Sequence, residues 1–164
     1  MVSISEELLE LEQISKLGQR HIAVVHEHWK ALRGERAMPG RREIDPFALK
    51  SALGLIIIAQ HEPDVDDFRF TLFGTMIAQA MGRDYTGRLA SELTPESYAA
   101  AVLASYRTVR GSGKPRLTRL TIGPANSVMV YHRLLLPLGA DGKTADALLI
   151  VSDNERHFWR ILSA

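Results

Sequence analysis

The stretch that most constrains the fold runs from Thr94 to Ser152: one well-signalled helix, then three strand-like segments joined by short links. Thr94 stands at the N-cap position of "PESYAAAVLASYRTVRGSG", with Pro95 at the first helical position and Glu96 in the first turn. Arg107 and Arg110 complement the negative end of the helix dipole, and Gly111 follows as terminator. The strand-like segments are "PRLTRLTI", "SVMVYHRLLLPL" and "ADALLIVS". Their links, "GPAN" and "GADGKT", are turn chemistry, so sequential antiparallel pairing is expected.

Upstream, "LIIIAQ" reads as a buried strand, "EPDVDD" as a turn and "FRFTLFG" as a second strand with Phe68, Phe70 and Leu72 on one face. The pair predicts a hairpin. "TMIAQAMGRDYTGRLASEL" gives a short helix, a turn at Gly82 to Gly87 and another helical turn. "DPFALKSALG" has Asp45 as N-cap, Pro46 at the first helical position and Gly54 as terminator, which predicts a short helix. The first thirty-odd residues read as helix, with Leu8, Leu11, Ile22, Val25, Trp29 and Leu32 on one three-and-four spacing. Ile14, Leu17, His21, Val24 and His28 form a second stripe beside it, and Gly18 marks a place to break the helix. Two stripes exceed one docking face, which suggests packing on a second copy or a partner as well. "DNERHFWRILSA" reads as a C-terminal helix with Phe158, Trp159, Ile161 and Leu162 as its apolar face.

Strands split by a helical block point to the α+β class rather than to βαβ units. The expected architecture is a five-stranded antiparallel sheet with helices on one face over residues 34–152. An N-terminal helical extension, residues 1–33, provides dimer or partner contact, and a short helix occupies residues 153–164.

A chain of 164 residues suits one such domain. The net charge of +1 supplies no field that would draw it to nucleic acid or anionic lipid. The local cluster Arg33, Arg36, Arg41 and Arg42 is interleaved with Glu35 and Glu43 and reads as a solvated loop, with no helix-turn-helix after it. There is no cysteine, which excludes disulfides, thiolate metal sites, cysteine nucleophiles and a flavin–cysteinyl adduct. The opening "MVSISEELLELEQ" is acidic without an apolar run, and no segment has the length of a membrane span. The expectation is a soluble, cytoplasmic protein with no membrane or nucleic-acid partner.

Catalytic and phosphate motifs are missing. "RGSGKP" lacks the spacing and the Ser/Thr of a phosphate loop, and "GRDYTGR" is better read as a turn than as a dinucleotide fingerprint. In "HIAVVHEHW", His26 and His28 face differently and His21 lies two turns from His28, so no metal set forms. Asp64, Asp66 and Asp67 crowd a hairpin turn, and no serine sits in a nucleophile elbow. No catalytic residue and no metal ligand is assigned.

Four segments carry a family resemblance: "HWKALRGERAMPGRREIDP", "DFRFTLFGTMIAQAMGRDYTGRLASEL", "YRTVRGSGKP" and "HRLLLPLGADGKTADALLIV". Together with the element order they resemble the short, stand-alone PAS sensory domains common in alphaproteobacteria, over Trp29 to Val151. Members share a tryptophan with an LRG-like segment, an Ile-Asp-Pro entry, an FRFxxxGT strand exit and an LLPL strand end. An acidic residue often precedes the arginine of "RLLLPL" there; this chain has His132, so a role tied to that acid does not carry over. The resemblance implies the PAS fold and a sensory or regulatory role, with ligands held between the inner sheet face and the long helix. It names no ligand. No cofactor is required by the sequence, and a haem would rest on one strand histidine.

Alternation along "VYHRLLLPL" separates the neighbours His132 and Arg133. Val130, His132 and Leu134 share an aliphatic face, taken as the one lining the helices and any cavity. With Tyr98 and Tyr106 of the long helix they are the ligand-pocket candidates. Tyr131 and Arg133 share the other face and join Ile22, Val25, Trp29 and Leu32 as interface candidates. The resulting expectation is a non-catalytic sensory or regulatory module. It acts through protein contact, as a homodimer or on a signalling partner, with a small ligand as a gate. A dedicated small-molecule sensor is the alternative, and a small enzyme using the cavity comes third.

Overall fold

The computed structural model describes residues 2–17, 20–123 and 129–152. Six strands form one antiparallel sheet: β1 Ser3–Leu9, β2 Ile56–Glu62, β3 Asp67–Phe73, β4 Arg116–Gly123, β5 Met129–Leu138 and β6 Ala147–Ser152. Their spatial order is β1-β4-β5-β6-β2-β3. Among the described residues, three α-helices accompany them: α1 Arg20–Arg33, α2 Thr75–Met81 and α3 Glu96–Ser112. The helical block between two strand groups, the hairpin β2–β3 and the sequential pairing β4–β5–β6 agree with the expected α+β organisation.

The strand count is six rather than five, and the extra strand comes from the segment read as helix. Ser3–Leu9 pairs with β4 in register from Ser3↔Gly123 to Leu9↔Leu117, and Leu11–Lys16 is a 3-10 turn. Glutamates and leucines favour helix weakly, by tenths of a kcal/mol per residue. The open edge of β4 offers seven residues a full ladder, and that tertiary term prevails. Among the described residues of this segment, α-helix is confined to Arg20–Arg33. The expected helix at Asp45 is likewise a turn, in which the Phe47 amide donates to Asp45 Oδ1 at 2.9 Å, followed by a 3-10 segment at Lys50–Leu55. Gly18 and the C-terminal helix expected at residues 153–164 lie outside the described residues.

Helices cover both faces of the sheet: α2 and α3 lie on one, and the N-terminal helix α1 covers the other. Alternation sends Ile57, Ala59, Leu120, Tyr131, Leu135, Leu148 and Ile150 to the side of α2 and α3. It sends Ile56, Ile58, Leu117, Leu134, Leu136, Leu149 and Val151 to the side of α1. This explains "ALLIVS", which is buried along its whole length because β6 has neighbours on both edges and helices on both faces. In β3 the expected single face of Phe68, Phe70 and Leu72 is broken. The pairing skips Thr71 between Ile58↔Leu72 and Ala59↔Phe70, and this bulge turns Leu72 to the α1 side.

Several recurrent motif residues are structural. Trp29, 1% exposed, packs α1 on the sheet and donates its indole N–H to the Pro137 carbonyl at 2.9 Å, joining the tryptophan segment to the LLPL strand end. Gly74 of the FRFxxxGT segment lets two chain segments touch: a Cβ there would stand 2.3 Å from the Gly54 carbonyl oxygen.

Candidate functional site

The polar centre of the molecule lies between β5 and α3. Tyr98, Val102, Ser105, Tyr106 and Val109 are the buried face of α3, at the spacing that stacks successive turns. β5 contributes Tyr131 and Arg133, two residues apart on the same side. β4 places Leu120 beside Tyr131 and Thr118 beside Arg133, and β1 adds Glu6 opposite Leu120. Arg133 is 2% exposed and Thr118 fully buried.

Bonding in this cluster is uneven. Glu6 Oε1 accepts from Ser105 Oγ at 2.9 Å and has Arg116 Nε at 3.5 Å. The same oxygen stands 3.7 Å from Arg133 Nη2, near enough for an ion pair and too far for a hydrogen bond. Tyr98 and Tyr131 bring their hydroxyls to 3.4 Å. Arg133 Nε, Arg133 Nη2 and Thr118 Oγ1 have no hydrogen-bond partner among the described residues. A buried donor left unmade costs about 1–3 kcal/mol, and more when the group is charged. Three such atoms fall on one cross-strand pair, Thr118 and Arg133.

Burial raises the pKa of Tyr98, Tyr106 and Tyr131, so all three are neutral phenols at physiological pH. Burial works against the charge on Arg133, yet the net shift is upward through the Coulombic pull of Tyr131, Tyr98, Tyr106 and Glu6, of which Glu6 alone is charged while the phenols stay neutral. The floor beneath α3 is thus a fixed cation surrounded by hydroxyls that donate or accept.

The structure redistributes the residues singled out in the sequence. Tyr98 and Tyr106 lie in the cluster, and they meet Tyr131 and Arg133, which were expected on the interface face. Val130, His132 and Leu134 point to the other side of the sheet. Leu134 is in the core beneath α1, His132 is half-buried, and Val130 is 45% exposed. Alternation separated the two sets correctly, but it does not say which helix covers which face. The interface stripe is consumed internally, since Ile22, Val25 and Trp29 are buried against the chain's own sheet and Leu32 is half-buried. Of the second stripe, His21 bonds the Ser152 carbonyl at 2.5 Å, and His28 accepts the Asp45 amide at 3.2 Å.

Three contributors escaped the sequence reading. Ser105 lies seven residues after Tyr98, so helical spacing alone signals it. Thr118 and Glu6 carry no such signal, because both depend on strand pairing. A concavity of about 120 Å³ lies on the α1 side between Ile44, Leu49, Leu53, Ile58 and Leu72, with Arg41 its only charged lining residue. It is well below the roughly 300–1,000 Å³ of pockets that hold drug-sized ligands. Among the described residues, no group of three His, Asp or Glu side chains gathers as a metal site. No helix among them is long and apolar enough to cross a membrane.

A family model described as PAS domain matches residues 19–151, from the start of α1 to the end of β6. No curated protein matches the chain at a significant level of sequence similarity. β1, and with it Glu6, lies before the matched region.

Proposed function

Since the chain belongs to the PAS domain family, we propose that it is a sensory module working by binding and contact rather than by catalysis, gated by a small molecule held between α3 and the sheet. PAS domains generally serve as sensory and regulatory modules. The observation that supports the ligand gate is the unsatisfied polar floor at Arg133 and Thr118. A core selected for stability alone would hold well-packed apolar side chains there. The floor offers poor material for proton transfer: a guanidinium, three neutral phenols and one carboxylate already held by Ser105 and Arg116.

Output passes through protein contact in a cytoplasmic setting, with a homodimer as the first partner. The buried stripe of α1 is unavailable for that role, so the contact belongs to exposed surface. Light scattering of the full chain tests the homodimer, and a strictly monomeric protein ends it. Native mass spectrometry with a metabolite thermal-shift screen tests the gate. A genuine ligand at a hundred times its Kd stabilises the fold by about 2.7 kcal/mol. A protein that stays empty and never shifts overturns the gate.

A further inference from the structure

The two nitrogens of Arg133 without a hydrogen-bond partner, Nε and Nη2, are neighbours on one edge of the planar guanidinium. Their N–H bonds point the same way, and this edge receives a carboxylate side-on through two parallel hydrogen bonds. Thr118 Oγ1, on the residue paired with Arg133 across the ladder, is a third atom without a hydrogen-bond partner. Glu6 supplies negative charge without closing the edge, because its Oε1 is shared with Ser105 and Arg116 and stays 3.7 Å from Nη2.

β1, which carries Glu6, is an edge strand, paired only with β4. It contains no buried residue, and Leu8 on it is 62% exposed, whereas β2, β3, β4, β5 and β6 all contain buried side chains. Its release would give up the ladder to β4 and the bonds of Ser3, Glu6 and Glu7 rather than a buried side chain, and would take Glu6 away from Arg133. We infer that the Nε/Nη2 edge of Arg133 is the binding site for one carboxylate group of a small organic acid, and that Glu6 is the internal carboxylate with which it competes. The surrounding Val102, Leu120 and Leu135 suit an apolar remainder on that acid. Ligand entry is thereby coupled to the release of β1, which turns occupancy of the core into a change at the sheet edge. This rests on the reading that the module holds a ligand beneath α3.

The test uses the full chain with benzoate and hexanoate as probes and benzamide and hexanamide as uncharged controls. The acids should raise Tm and the amides should not. Glu6→Gln removes the competing charge while keeping the shape, so acid affinity should rise at least about tenfold, or 1.4 kcal/mol. Arg133→Met should abolish the acid effect. Hydrogen exchange on the wild-type protein should quicken at Ser3–Leu9 when acid is present. The inference is overturned by acids that shift neither the wild type nor a natively folded Glu6→Gln protein, or by acid binding that survives Arg133→Met. A neutral metabolite that binds the wild type and Arg133→Met equally sinks the carboxylate site and leaves the ligand gate standing. A protein that binds nothing in either experiment sinks both.

Discussion

The two faces of this sheet are built on different terms. The α1 face is apolar at its centre: Ile22, Val25 and Trp29 lie on Leu117, Leu134, Leu136, Leu149 and Val151, the Trp29 N–H has its acceptor, and only at the helix end is Arg33 Nε, stacked on the Trp29 ring, without a hydrogen-bond partner among the described residues. The α3 face has an apolar frame of comparable quality, including an edge-on contact of Phe68 with Tyr106 at 5.4 Å, but encloses a guanidinium and a threonine hydroxyl with bonds unmade. Both faces come from the same strands, often from adjacent residues such as Arg133 and Leu134. One face is closed by apolar packing, and the other holds polar groups whose hydrogen bonds are unmade.

Breaking the apolar face should have the largest effect. Trp29→Ala removes a fully buried side chain and its hydrogen bond, and about 3–5 kcal/mol should be lost in urea denaturation. Arg133→Met on the polar face should behave in the opposite way despite its equal burial. It removes unmade bonds and leaves Glu6 with Arg116 and Ser105, so stability should stay within about 1 kcal/mol of the wild type or rise. A loss as large as that of Trp29→Ala would show the two faces to be alike.

Alkali should separate the faces further. Tyr98, Tyr106 and Tyr131 lose their protons less readily folded than unfolded, because burial raises their pKa. Their contribution is therefore complete below the ordinary tyrosine value of 10 and disappears as pH rises through the raised folded values. Phenolate absorbance from these three should appear only together with loss of circular dichroism. Absorbance that grows while the fold persists would mean that the α3 face is open to water.

The smallest effect is a local one on the α1 side. Hydrogen bonds from Arg36 and from the Gly40 amide hold the Glu43 carboxyl at about 2, below its usual 4.5. The loop it closes should thus keep its bond above pH 4.5 and lose it as pH falls toward 2. An NMR titration of Glu43 checks this, and Arg36→Met should return the midpoint toward the usual value.

Much of the fold was legible because its signals are local. The proline and charge pattern located α3, although the expected cap is not made: Pro95 rather than Thr94 stands at the N-cap position with no side-chain cap bond, and the helix ends on left-handed Gly113, past the expected Gly111. Turn residues located the pairing of β4, β5 and β6, and the apolar run of "ALLIVS" marked a strand covered on both sides. β1 was missed because its seven residues have helix-compatible chemistry and become a strand only where β4 leaves an edge. The site was half legible. Tyr98 and Tyr106 follow from helical spacing and from the family's ligand position, whereas Glu6 and Thr118 reach Arg133 only through pairing with residues far along the chain.

The sequence by itself determined the class, the order of most elements, and the separation of His132 from Arg133, because helix-end signals, turn chemistry and the two-residue strand period act over a few residues. The tertiary structure decided which face is which. Alternation is symmetric, and a strand cannot know which helix will cover each of its sides until both have packed. That packing placed Arg133 with three tyrosines under α3, moved His132 to the other side, and brought Glu6 from the start of the chain to stand by the guanidinium.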